Sequence, residues 1–277
     1  MSLLATRDLT IRFGGHVAVN AVTCAFEPGT LTAIVGPNGA GKTTYFNLIS
    51  GQLKASSGTV TLDGKDLSGS SPSARTRAGL GRSFQLTNLF PRLTVLENVR
   101  LAVQATRDGR YRRGLNLWSI WSDHRELLAR ARQILDDVAM AGKADELVAN
   151  LPHGDQRKLE VALLMALESK VFMFDEPTAG MNAAEAPVIL DLIRKLKSDR
   201  SRTILLVEHK MDVVRELADR IIVLHNGALV ADGEPAEVIA SPIVQEAYLG
   251  LAPQAASVED VTPPSPTLPS RGELEKP

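Results

Sequence analysis

The segment Gly36-Pro37-Asn38-Gly39-Ala40-Gly41-Lys42-Thr43, continued by Thr44, constrains this chain more than any other. It follows the apolar run Leu31 to Val35 and precedes a second apolar run, Phe46 to Ile49. That order predicts a strand, a tight glycine-rich loop and a helix, which is the context of a P-loop. Glycines let backbone close around phosphate groups, and successive N–H groups at a helix N-terminus bind their charge. On this reading Lys42 reaches β- and γ-phosphates and the Thr43 hydroxyl holds Mg²⁺. Elsewhere, short Val-, Ile- and Thr-rich runs alternate with longer helical patterns. The expected fold class is therefore α/β, a mainly parallel sheet covered on both faces around a P-loop core.

Leu31 to Val35, Val171 to Phe174, Thr203 to Val207 and Ile221 to Leu224 read as buried strands of that sheet. The N-terminal part is more β-rich, and Thr59 to Leu62 running into Asp63-Gly64 predicts a hairpin there. From about Phe90 to Asn150 the strand signal stops. Leu117, Ile120, Trp121, Leu128, Ala131, Leu135 and Val138 recur instead at three- to four-residue spacing, predicting an inserted helical subdomain at about 90–157. Within it, Arg107 to Arg132 carries seven arginines and His124, with Trp118 and Trp121 on one helix face. A solvated arginine face over an apolar stripe is preferred there to contact with lipid headgroups or nucleic acid. Pro253 to Pro277 holds six prolines and no aromatic residue, too little to bury a core. The expected division is a folded unit at 1–252 and a disordered, proline-rich tail at 253–277.

Composition narrows the partners. Thirty-one Lys and Arg against 32 Asp and Glu leave a formal net charge of -1, so no global positive field favours nucleic acid, and none is expected as a partner. A single cysteine, Cys24, excludes an internal disulfide framework and a cysteine-based zinc site, and reads as a small buried residue of a strand. No apolar run approaches the roughly 18 to 20 residues that span a bilayer. The N-terminus meets Arg7 and Asp8 before any signal-like apolar stretch, so a cytoplasmic location is expected.

Val171-Phe172-Met173-Phe174-Asp175-Glu176 is an apolar strand ending in two acids. Alongside a P-loop it reads as a Walker B strand, with Asp175 on the magnesium side and Glu176 placed to activate the attacking water. Gln85 follows Gly81-Arg82-Ser83-Phe84, and Leu151-Pro152-His153-Gly154-Asp155-Gln156 opens a helix expected to begin near Arg157. His209 follows a Val- and Leu-rich strand and, taken alone, is open between a polar strand end and a functional group.

In this order the motifs resemble those of the ATP-binding-cassette ATPases, from about Leu4 to Gly250. The resemblance implies a Q-loop at Gln85, a signature at Leu151, a D-loop near Ala179 to Asn182 and a switch histidine at His209. It implies ATP and Mg²⁺ as cofactors and an N-terminal antiparallel β part beside the P-loop core. Two cassettes are then expected to close head to tail, each ATP lying between one P-loop and the opposing signature. By the same resemblance Gln85 contacts Mg²⁺ and the attacking water, His209 contacts the γ-phosphate, Phe13 stacks on adenine, and Gly154 binds the opposing nucleotide. Phe13 taken alone is open between that role and a place in the core.

The chain departs from the family signature, which usually reads Leu-Ser-Gly-Gly-Gln. Pro152 and His153 stand for the serine and first glycine, and Pro152 has neither hydroxyl nor N–H. A weakened half-site is expected, completed by a second, different ATPase, with a homodimer as the alternative. Phe13-Gly14-Gly15, Leu89-Phe90-Pro91-Arg92-Leu93-Thr94-Val95-Leu96-Glu97-Asn98-Val99 and Val207-Glu208-His209-Lys210-Met211 resemble the branched-chain amino-acid importer ATPases. That likeness implies transmembrane permease partners docking near Gln85 to Arg92, and a periplasmic solute-binding protein met indirectly. It also implies a peripheral position on the cytoplasmic face of the inner membrane. Urea or amide import, lipid or lipopolysaccharide export, and a soluble role in translation or repair are the competing readings.

Overall fold

The computed structural model describes residues 3–83, 89–106, 125–181, 185–242 and 244–245. In chain order the elements are β1 (Leu4–Phe13), β2 (His16–Phe26), β3 (Leu31–Val35), α1 (Lys42–Ser50), β4 (Ser57–Leu62), β5 (Lys65–Asp66), α2 (Pro72–Arg77), β6 (Leu80–Arg82) and α3 (Val95–Thr106). They continue with α4 (Arg125–Asp137), α5 (His153–Ala166), β7 (Val171–Asp175), α6 (Ala186–Ser198), β8 (Thr203–Val207), α7 (Met211–Leu217), β9 (Arg220–His225), β10 (Ala228–Gly233) and α8 (Pro235–Ala240).

Two sheets result. The first is antiparallel, in the order β2-β1-β4-β5. Its β4–β5 hairpin turns through Asp63 and Gly64, both at positive φ (50° and 74°), the pair of left-handed residues that such a two-residue turn demands. The second sheet runs β10-β9-β3-β8-β7-β6; every pairing is parallel except that of β9 with β10.

Every residue of β3, β7 and β8 is buried, which is why these strands read as unbroken apolar runs. Their two faces serve different cores. Phe172 and Phe174 of β7, with Ile204 and Leu206 of β8, face a core shared with α3, α4, α5 and α6. Val171 and Met173, with Leu205 and Val207, face α1 and the antiparallel sheet. A side-chain period of two thus splits one apolar sequence between two layers. Each such buried Leu, Ile or Phe contributes roughly 1.5–3 kcal/mol of transfer free energy.

The helical elements differ in one respect from the sequence expectation. α5 begins at His153, four residues before Arg157. Pro152 stands at the cap, and its carbonyl accepts the amides of Asp155 and Gln156. Proline and glycine read as loop residues, yet a proline's fixed φ suits the entrance to a helix, where no N–H is needed. Of the periodic apolar positions, Ala131, Leu135 and Val138 are fully buried and Leu128 packs against the same core. Leu117, Trp118, Ile120 and Trp121 lie outside the described residues, as do the tail from 253 and Asn182. Cys24 is buried in β2. Among the described residues no helix is long and apolar enough to cross a membrane.

Candidate functional site

The loop between β3 and α1 is built by close backbone approach. Gly36 has φ 149°, and a Cβ there would lie 2.1 Å from the Leu224 carbonyl oxygen of β9. Gly41, at φ 97°, caps α1, and its Cβ would lie 2.5 Å from the Ala18 carbonyl oxygen of β2. No side chain fits at either position, so glycine is required where the loop threads between the two sheets. α1 starts at the next residue, which aims its first N–H groups into the loop.

A cavity of about 280 Å³ lies over this loop, lined by Asn38 to Thr44 together with His16, Ala18, Glu176 and His209. Lys42 is buried, and its Nζ donates to the carbonyls of Gly36 (2.7 Å) and Pro37 (2.9 Å). Burial pulls its pKa down, opposed by the carboxylates of Glu176 and Asp175. The ammonium therefore already sits inside the loop, held by neutral acceptors that an anion can displace.

The two acids at the end of β7 face different surroundings. Asp175 is 3% exposed. Its Oδ2 accepts from Arg82 Nη2 at 3.0 Å, while Oδ1 is buried without a partner. Burial pushes this carboxyl up, and the Arg82 guanidinium pulls it down. Glu176 adopts φ 49°, a left-handed conformation that costs a non-glycine residue roughly 1–3 kcal/mol when held in place. Its amide still donates to Val207 of β8 at 2.9 Å, so the turn happens within the sheet edge and swings the carboxylate over the loop. There Oε1 lies 2.6 Å from His209 Nε2.

Glu208 completes this arrangement from below. It is buried, with Oε1 accepting from the Thr178 hydroxyl (3.0 Å) and Oε2 from the His209 amide (3.1 Å). The segment after β7 and the segment after β8 are thereby joined through one carboxylate. Sequence reasoning passed over Glu208, Arg82 and His16. The signal for Glu208 is its place beside a histidine at a strand end, and for Arg82 its place three residues before Gln85.

Lys42, Thr43, Thr44, Glu176 and His209 thus meet at one cavity, although 167 positions separate the first from the last. Phe13, Gly36, Pro37, Gly154 and Asp175 are not among the described residues that line it. Phe13 pairs across the hairpin with His16, which does, and Phe13 is 50% exposed, so it is no core residue. Gly154 sits in the first turn of α5, where an added Cβ would meet Glu185 Oε1 at 2.9 Å. Gln85 lies outside the described residues.

Comparison with known proteins identifies the family. The profile of the ABC transporter family matches residues 19–179, which include the loop and both acids. The high-affinity branched-chain amino acid transport ATP-binding protein LivG of Salmonella typhimurium is 39% identical over 251 residues, covering 90% of this chain and 98% of that protein. BraF of Pseudomonas aeruginosa, with the same description, is 37% identical over 251 residues, covering 90% of this chain and 98% of BraF. The crystal structure of the ADP conformation of MJ1267, an ATP-binding cassette of an ABC transporter, superposes with a TM-score of 0.77 at 29% identity, covering 91% of this chain and all of the other. With a family match over more than half its length and a glycine-rich loop facing an acid and a histidine, the chain belongs to the ABC transporter family, as one of its ATP-binding, ATP-hydrolysing cassettes.

Proposed function

We propose that this chain powers an importer of branched-chain or related amino acids, working peripherally on the cytoplasmic face of the inner membrane against transmembrane permease subunits. The observation that carries the reading is the convergence of Lys42, Glu176 and His209 on the 36–44 loop. The likeness to LivG and BraF over nine-tenths of the chain supports the cargo class.

In this mechanism the N–H groups around Gly39 to Thr44 and the Lys42 ammonium bind the phosphates, Lys42 exchanging two carbonyl acceptors for phosphate oxygens. Phe13, exposed at the hairpin tip, stacks on the adenine. The Glu176 carboxylate takes a proton from the water that attacks the γ-phosphate. His209 holds that carboxylate by its Nε2 and reaches toward the same phosphate. Gln85 is assigned to the attacking water on its sequence position alone.

The donor set fits Mg²⁺. Thr43 offers a hydroxyl oxygen, and Asp175 Oδ1 is a buried carboxylate oxygen with no donor of its own. Among the described residues no group of three or more His, Cys, Asp or Glu is arranged to hold a metal ion by itself, which suits an ion that takes few protein ligands beside phosphates and water. When bound, Mg²⁺ supplies charge neutralisation at the β- and γ-phosphate oxygens.

Pro152 removes the signature hydroxyl, so Gly154 and the first turn of α5 form a weakened contact to an opposing nucleotide. A second, different cassette then completes the site on this chain's loop. The test is uptake of radiolabelled leucine, valine and isoleucine in a strain lacking the gene, restored with the wild type or with Glu176→Gln. Wild type should restore uptake; Glu176→Gln should bind ATP yet lose turnover by roughly 10²-fold or more and restore nothing. Tagged wild type solubilised from membranes should bring down permeases and a second ATPase. Urea uptake restored in place of leucine uptake would overturn the cargo, and recovery of the chain alone would overturn the transport assignment.

A further inference from the structure

Arg82, the last residue of β6, makes more polar contacts around the site than any sequence motif foresees. Its side chain is 8% exposed. Nη1 donates to Asn47 Oδ1 (2.6 Å), Ser50 Oγ (2.9 Å) and, at 3.4 Å, Gln52 Oε1. Nη2 donates to Asp175 Oδ2 at 3.0 Å, and the guanidinium carbon stands 5.6 Å from the centre of the Phe46 ring. Asn47, Ser50 and Phe46 all belong to α1, whose first turn carries Thr43. One side chain therefore ties the helix bearing Thr43 to the strand ending in Asp175.

The pairing also divides the two oxygens of Asp175. Oδ2 is occupied by Arg82, and Oδ1 is left buried with no donor, on a side chain only 1% exposed. An unsatisfied carboxylate oxygen at that depth is costly unless something binds it. We propose that Arg82 is a positioning residue that fixes Asp175 so that Oδ1 alone is presented to the divalent cation accompanying the nucleotide, in register with Thr43. This rests on the assignment of Thr43 and Asp175 as Mg²⁺ ligands made above.

Arginine is the residue that suits the task. Its planar fork offers separate nitrogens to α1 and to the carboxylate at once, whereas a lysine presents a single nitrogen that cannot span both. Partners of metal ligands typically alter metal affinity about 10–100-fold when removed.

The experiment measures binding of a non-hydrolysable ATP analogue by calorimetry, in EDTA and across a Mg²⁺ titration, for wild type, Asp175→Asn, Arg82→Met, Arg82→Lys and Asn47→Leu. Asp175→Asn should abolish the Mg²⁺-dependent gain in affinity. Arg82→Met should raise the Mg²⁺ concentration for half-saturation about tenfold while metal-free affinity stays within about twofold, the signature of a lost partner to a metal ligand. Arg82→Lys should fall between wild type and Arg82→Met. Asn47→Leu, which removes only an anchor on α1, should shift the Mg²⁺ dependence in the same direction by a smaller factor, and it carries the test if Arg82→Met does not fold. If Asp175→Asn keeps the gain, the ligand assignment falls and the proposal with it. If Asp175→Asn loses the gain but the Arg82 and Asn47 variants keep the wild-type Mg²⁺ dependence, the ligand assignment stands and the proposal is overturned. Equal losses with and without Mg²⁺ in the Arg82 variants would also overturn it, reducing Arg82 to general support of the fold.

Discussion

Replacing Arg75 with alanine should destabilise this protein far more than its place on a six-residue helix suggests. Arg75 is 3% exposed. Nη1 donates to the carbonyls of Leu48 (2.7 Å) and Ile49 (2.6 Å), Nη2 to Ser68 (3.1 Å) and Nε to Ser70 (3.3 Å). Leu48 and Ile49 lie in the last turn of α1, whose carbonyls lack the usual i+4 donors; among the described residues Leu48 otherwise accepts only the cap amide of Gly51 at 3.3 Å, and a cation there also offsets the negative end of the helix dipole. The cost of burying this guanidinium lowers its pKa, with Asp66 opposing, so the bonds are not all net gain. A charged donor to a buried acceptor contributes roughly 1.5–3 kcal/mol, and counting only the two short bonds gives about 3–6 kcal/mol lost in Arg75→Ala. For a domain of this size that is a fall in Tm of roughly 6–24 °C. Gly51 supplies a control. It sits at φ 80°, and a Cβ there would lie 2.7 Å from Arg75 Nε, which its four bonds hold in place. Gly51→Ala should therefore cost less in the Arg75→Ala background than in wild type, by about 1 kcal/mol in a double-mutant cycle read from urea unfolding. The N-terminal end of α1 is held separately, by Gly41 against β2, so nucleotide affinity of the folded variant should stay within about twofold of wild type. A Tm change under about 2 °C, or two substitutions that simply add, would refute the reasoning.

Close packing at two other positions sets two further outcomes. Gly36→Ala places a Cβ 2.1 Å from a backbone oxygen that no rotamer can move, at a φ of 149°, so nucleotide binding should be lost in a fluorescence titration even where circular dichroism shows the fold retained. Burial, with a smaller push from Asp232, raises the Cys24 thiol from 9.0 to about 11. Between those values the unfolded chain has released a proton that the folded chain keeps. Stability from this group is complete below about pH 9 and lost as pH rises toward 11, by about 2.7 kcal/mol at most. Tyr45, raised well above 10.0 in the same cluster, adds to the decline at the upper end. Urea unfolding from pH 8 to 11 should show a shallower decline in Cys24→Ala than in wild type, and parallel curves would contradict the assignment.

Some of this architecture was legible in the order of residues alone. Leu31 to Val35, Val171 to Phe174 and Thr203 to Val207 announce buried parallel strands because both of their faces must be apolar. The Asp63-Gly64 turn announces itself because few other pairs tolerate two positive φ angles in succession. The glycine-rich loop is legible for the same reason: its constraints are imposed by the conformation of its own backbone. The start of α5 at His153 is not legible, because Pro152 and Gly154 carry a loop signal that the helix entrance overrides.

What no local pattern contains is the meeting of distant side chains. Arg82 joins Asp175 across 93 positions because β6 and β7 pair in parallel, and Glu208 joins Thr178 across 30 because β7 and β8 end side by side. Neither the burial that leaves one oxygen of Asp175 unpartnered nor the contact of Glu176 with His209 has any trace in neighbouring residues. Backbone geometry and hydrophobic period act over a few residues and can be read along a chain. Desolvation and ion pairing depend on which elements the sheet order brings together, and only the folded protein decides that.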